Sequence, residues 1–167
     1  MFLTNVWQTT FAQIDLKKAT VTLSDGKDPA NTLEMTIGEG NLTYTERRNI
    51  DYTLDRGILD EVREGDEVPV EVSMDATWEF IDSAESPEKF MKGGVGGAVS
   101  SDDDTCRPFA IDILIVYTPD CGDSGITESI SLLDFRWEQI DHDLRGGTFS
   151  FTGRCNITVA TITGTYE

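Results

Sequence analysis

At 167 residues the chain has the length of one domain, enough for a single good core. Thirty-one acidic residues stand against thirteen basic ones, a formal charge of −18, which argues against general affinity for duplex DNA because such binding depends on Lys and Arg neutralising phosphates. No apolar run approaches the ~20 residues of a membrane span, and three cysteines exclude a full disulfide framework, so reduced, buried thiols are expected at Cys106, Cys121 and Cys155.

The first ten residues, MFLTNVWQTT, lack the basic and apolar regions of an export signal, so the protein is expected to be made and kept in a cytosol. Residues 1–18 carry scattered apolar positions and are expected as a short strand or an N-terminal arm lying on a neighbour. Ala19–Ser24 alternates as a strand and ends at the turn pair Asp25-Gly26. Thr32–Ile37 alternates again, with Leu33, Met35 and Ile37 on one face, until Gly38-Glu39-Gly40 breaks it.

Asn41–Asp55 reads as a long strand whose even face carries Leu42, Tyr44, Ile50, Tyr52 and Leu54. Glu46 and Arg48 interrupt that face, so the strand is expected to leave the core there and return. A hairpin arm over 41–66 follows, turning at Arg56-Gly57 and continuing through a short strand near Ile58–Glu64. Glu67–Ile81 has the clearest pattern in the chain. Val68, Val70, Val72, Met74, Ala76, Trp78 and Phe80 alternate with polar residues among which Glu67, Glu71, Asp75 and Glu79 recur at every fourth position. A period of two places these sets on opposite faces of a strand, one dry and one anionic.

Ser86–Gly93 is the one convincing helix: Ser86 at the cap, Pro87 in the first turn, Glu88 at the positive end and Gly93 as the stop. It needs Phe90 and Met91 buried, being too short to stand alone. Residues 93–106, GGVGGAVSSDDDTC, read as a flexible loop. Arg107–Thr118 is apolar on nearly both faces with Asp112 as the exception, which places it mid-domain or under a subunit contact. Glu128–Ile140 is expected to put Leu133, Phe135 and Trp137 on one face. Asp141–Gly147 is expected as a turn. The last strand, Thr148–Thr163, is expected to bury Phe149, Phe151, Cys155, Ile157 and Val159. These elements predict an all-β fold, a β-sandwich or partly closed barrel of about eight strands with one short flanking helix.

Catalytic motifs are not apparent: the chain has no GxSxG, HExxH, Walker loop, GxGxxG or CxxC. His142 is the sole histidine, and it is expected in an exposed turn. Cys106, Cys121, Cys155 and His142 are the right residue types for zinc but lack paired spacing. Asp102-Asp103-Asp104 lacks the spaced ligand pattern of a calcium loop. Glu71 and Asp75, four residues apart on one strand face, sit ~13 Å apart, too far for either glycosidase mechanism. No cofactor, metal or enzymatic activity is expected.

Two stretches together resemble the major tail-tube subunit of long-tailed bacteriophages. They are NLTYTERRNIDYTLDRGILDEVREGDEVPVEVSMDATWEFI, residues 41–81, and LDFRWEQIDHDLRGGTFSFTGRCN, residues 133–156, about 40% of the chain. The glycine-rich loop and the triple aspartate fall outside the resemblance. It implies the fold shared with type VI secretion tube proteins, and homohexameric rings that stack into a tube through which viral DNA passes without sequence-specific binding. Other tail proteins (tape measure, baseplate or tip, terminator) are implied as partners, in a virion assembled in bacterial cytoplasm. The row Glu67, Glu71, Asp75 and Glu79 is then expected to face the lumen, where carboxylates repel phosphates. Glu46, Arg48, Asp55, Arg56 and Gly57 are expected to form a subunit-contact arm. The alternative is a monomeric acidic β-sandwich binding module, with calcium at Asp102–Asp104.

Overall fold

The alternation of Val72, Met74 and Ala76 with polar residues builds the strand at the middle of one half of the fold. The computed structural model describes residues 19–35, 42–77, 86–117 and 127–165. The expected N-terminal arm, Ile37, Trp78 to Ile81 with Glu79, Thr118 and Cys121 lie outside the described residues.

The strands are β1 (Ala19–Ser24), β2 (Thr32–Met35), β3 (Leu42–Thr45), β4 (Ile50–Asp55), β5 (Ile58–Glu64) and β6 (Glu71–Thr77), then, after helix α1 (Pro87–Met91), β7 (Ile111–Tyr117), β8 (Thr127–Asp143), β9 (Thr148–Cys155) and β10 (Thr161–Thr165). Eight of them form one open antiparallel sheet in the order β2-β1-β7-β8-β9-β6-β3, with β10 also on β8. Strand β8 belongs to both halves. Residues 128–135 pair with β7, and 135–143 pair with β9.

The two halves close over one core. Val21 and Leu23 of β1, Val72 and Met74 of β6, Ile113 of β7, Leu132 and Phe135 of β8, and Phe149 and Phe151 of β9 belong to the same buried cluster. The Phe135 and Phe151 rings meet tilted, with centroids 5.7 Å apart, a favourable aromatic geometry. Phe90 and Met91 of α1 are buried in the same cluster, as the helix required. Ser86 is the N-cap, without a side-chain capping hydrogen bond.

Three sequence expectations shift. First, the inner face of β8 is Ile130, Leu132 and Phe135, while Leu133 is exposed. Between the pairs Ile113–Leu132 and Ile111–Phe135, β8 carries an extra residue, and Asp134 absorbs it at φ 53°. A bulge shifts the side-chain alternation by one, so the period of two could not run through it. Second, β8 continues to Asp143, and the turn is only 144–147. Third, the last strand divides at Cys155, and Val159 is exposed between β9 and β10.

The 93–106 segment, expected to be a flexible loop, is tied down in its second half. Gly26 donates to the Val99 carbonyl at 2.9 Å and Ser101 to that of Ala110 at 3.0 Å, and the Ser101 hydroxyl donates to Asp134 Oδ1 at 3.0 Å. Asp102 Oδ2 takes hydrogen bonds from both Arg136 and Arg107.

Candidate assembly surfaces

The expected long strand 41–55 divides into β3 and β4 because the polar run Glu46-Arg47-Arg48-Asn49 interrupts it. On the returning side Pro69 has no N–H to donate to a ladder. β3 pairs with β6 inside the main sheet, whereas β4 and β5 pair only with each other. The result is an arm, β4–β5, continuing outward from the β3–β6 pairing. Its turn holds Arg56 at φ 51° and Gly57 at φ 83°, the two left-handed residues that match the twist of a tight hairpin.

Residues opposite one another in a ladder point to the same side. On the arm one side therefore carries Ile50, Tyr52, Leu54, Leu59 and Val62, with Glu64 beside Ile50 at its inner end. None is buried: Tyr52 and Leu54 are 61% and 62% exposed. The opposite side carries Asp51, Thr53, Asp55, Glu61, Arg63 and Ile58. An isolated two-stranded hairpin is marginally stable in water, and a contiguous apolar face on a monomer marks an interaction site.

The second surface is the solvent face of β3-β6-β9-β8. Its rows read straight off the registers: Thr45, Glu71, Arg154, Arg136; then Thr43, Ser73, Thr152, Gln139; then Asp75, Ser150, Asp141; then Thr148 and Asp143. Opposite this face, Val72, Met74, Ala76, Phe149 and Phe151 are buried.

Charge is unevenly spread over the polar face. Glu71 lies between Arg47 at 3.2 Å and Arg154 at 3.7 Å, and Arg154 also reaches Glu138 at 3.7 Å. Asp75 has no partner among the described residues, while Asp141 accepts from Gln139 at 2.7 Å. Asp75 and Asp141 lie two strands apart, about 10 Å. One end of the face is thus balanced and the other anionic.

Of the acidic row expected from the sequence, only Glu71 and Asp75 are on the described part of β6. Glu67 precedes the strand and lines a groove of ≈ 340 Å³ at the root of the arm, with Glu46, Arg47, Arg48, Glu64 and Thr158. Asp141 and Asp143 were missed because the run around His142 read as a turn. The alternation Gln139, Asp141, Asp143 was the available signal.

The expected arm residues are spread along its length. Glu46 and Arg48 lie at the root, where Arg48 faces Glu64 at 3.7 Å, and Asp55, Arg56 and Gly57 form the tip. The sequence reading assigned the contact to those charged positions and read Ile50, Tyr52 and Leu54 as an apolar face without its exposure.

The zinc-type residues sit in different surroundings. Cys106 is exposed. Cys155 is buried, and burial together with the Asp112 and Asp134 charges pushes its thiol up to about 12. His142 stands over Phe149 and faces Glu88 at 3.6 Å. Asp102 Oδ2, a candidate calcium ligand, is instead engaged by two guanidinium groups. The Asp104 amide, followed by the Arg136 guanidinium, holds the Asp102 carboxyl down at about 2.

The open, bent sheet with its flanking helix is similar in fold to solved chains of contractile injection systems. The sheath/tube terminator of an extracellular contractile injection system (PVC, extended state) matches with a TM-score of 0.54 at 11% identity, over 92% of this chain and 99% of that one. The tube-terminating cap of the anti-feeding prophage matches at 0.54 and 13% identity, over 98% and 99%. A chain of the extended PVC sheath–tube complex matches at 0.52 and 11%, over 92% and 93%. No protein-family model matches the sequence, and no curated protein sequence does.

Proposed function

We propose that this chain is a non-enzymatic structural subunit of a bacteriophage tail tube. Copies close into homohexameric rings, the rings stack, and the polar face of β3-β6-β9-β8 turns toward the lumen through which viral DNA passes. The observation that carries the reading is the unburied apolar side of the arm. A solitary acidic binding module gives no reason for an outlying hairpin to hold five apolar side chains in water. A ring of copies supplies the cover, since closed cyclic contacts join two different patches of the same chain.

The lumen assignment rests on the chemistry of the face. Six threonine and serine hydroxyls are interspersed with the charges, Glu71 is balanced by arginines, and Asp75 and Asp141 repel phosphate. A passing polyanion meets no attractive trap. Tape-measure, baseplate and terminator proteins are the corresponding partners, and the virion tail is the location.

A second reading, a ring that ends a tube rather than extends it, is supported by the terminator and cap chains whose fold this one matches. Negative-stain microscopy of purified protein, taken upward in concentration and salt, separates the readings. Stacked tubes are expected. Single rings that never stack would favour the terminating role, and particles of one chain at every condition would reject both.

A further inference from the structure

The arm joins the body through two irregular segments, 46–49 and 65–70. On the first, Glu46 reaches a residue 114 positions away: its Oε1 accepts the backbone N–H of Ala160 at 2.8 Å. Ala160 is buried against the core. A buried amide has lost its water and must find an acceptor within the protein. Here the acceptor belongs to the root of the arm.

The segment carrying Ala160 is itself fixed to the body. Val70 donates to the Ile157 carbonyl, and Cys155 donates to that of Val70, both at 2.9 Å. Among the described residues the other ties at the root are Arg47 to Glu71, Arg48 to Glu64, and the Gly65 amide to the Asn49 carbonyl. The two ion pairs are largely exposed and weak individually. The Gly65–Asn49 bond joins the two segments to each other and leaves their direction free. The 65–70 segment ends in the body through the backbone bonds of Val70; on the 46–49 segment, among the described residues, Glu46 is the side chain that couples the arm to a buried group of the body.

We propose that Glu46 is a positioning residue: by holding the Ala160 amide it sets the bearing of the arm before a second copy arrives. This rests on the proposed role of the arm as a subunit contact. A preset arm docks without first losing orientational freedom, which lowers the ordering cost of association. The sequence cue that Glu46 interrupts an apolar face has its explanation here. The carboxylate serves the chain's own fold.

Trypsin tests the latch directly, because its cleavage sites Arg47 and Arg48 adjoin Glu46. In the full chain at concentrations below assembly, Glu46→Ala is expected to be cut there about tenfold faster than wild type, the order expected for loss of one hydrogen bond. Glu46→Gln keeps an oxygen for the same N–H and also lacks the charge beside the cleavage sites. It is expected to be cut at nearly the wild-type rate. The concentration needed for assembly is expected to rise about tenfold in Glu46→Ala and to recover in Glu46→Gln. Wild-type cleavage rates in Glu46→Ala, or equal acceleration in both variants, would overturn the proposal. If wild type fails to assemble at all, the arm's role as a contact falls, and the cleavage comparison alone decides the latch.

Discussion

Asp112 and Asp134 meet where β8 carries its extra residue: the Asp112 carboxylate accepts the backbone N–H of Asp134 at 2.9 Å. The sole acid in an otherwise apolar strand is there because a bulge leaves an amide without a ladder partner. Burial, together with the Asp134 charge, raises the Asp112 carboxyl above its ordinary value of 3.8. A raised folded-state value means that the ionised form opposes folding at neutral pH, and that this penalty is relieved as pH falls through the raised value. Asp112→Asn keeps the acceptor oxygen and removes the charge. Its urea midpoint is expected to equal or exceed that of wild type at pH 7, with the advantage shrinking toward pH 4. Asp112→Ala removes the acceptor and is expected to cost about 1–3 kcal/mol at either pH. A midpoint for the Asn variant below wild type at pH 7 would show that the charge itself is needed.

Asp102 has the opposite sign. Its carboxyl sits at about 2 against an ordinary 3.8, held down by the Asp104 amide and by Arg136 and Arg107. A lowered folded-state value contributes stability that is full above about 3.8 and lost as pH falls toward 2. Asp102→Asn is therefore expected to be less stable than wild type at pH 7 and to converge with it between pH 4 and pH 2. A gap that stays constant over that interval would mean the guanidinium contacts contribute nothing through charge.

Tyr52→Ser with Leu54→Ser tests the apolar side of the arm. Both positions are mostly exposed in the monomer, so the unfolding temperature is expected to move by no more than a few degrees. Sedimentation velocity is expected to show single chains at concentrations where wild type forms rings. Raising the ionic strength is expected to favour assembly of wild type, because copies at −18 repel and salt screens them. Rings formed equally well by the double variant would remove the arm from the interface.

Asp75→Lys with Asp141→Lys tests the polar face. Neither residue is buried or paired with a cation among the described residues, so folding and assembly are expected to be unchanged. Tubes of the variant are expected to retain short DNA at low salt, and wild-type tubes are expected to exclude it. Exclusion by both would place these residues away from the bore. Glu71 is the poorer choice for such a test, because a lysine there would face Arg47 and Arg154.

Much of this architecture was legible wherever alternation runs unbroken. The strand Ala19–Ser24 and the buried set Val72, Met74 and Ala76 follow from the period of two, whereas Ile58–Glu64 was placed as a strand without such alternation. The expectation failed at Asp134, where one left-handed residue shifts the alternation of β8 until a second register shift after Trp137 restores it, and at Asp141–Asp143, where acids flanking a histidine imitate a turn. Glu46–Asn49 was seen as an interruption, but not as the point where the chain passes from one sheet to another. The Glu46–Ala160 bond was out of reach, since nothing local in the sequence connects positions so distant. The arm's apolar side was visible as Ile50, Tyr52 and Leu54. Its exposure was not, because a hydrophobic stripe reads identically whether its cover comes from the same molecule or from another.

None of the residues in the buried cluster belongs to β4 or β5. Substitutions in that hairpin therefore escape the constraint that folding places on the rest of the chain. Two related chains with interchangeable interiors and divergent hairpins would each reach the native state, yet decline to mix when produced in one cell. With the hairpin as the proposed subunit contact, self-recognition and foldability would be inherited on separate stretches of the polypeptide.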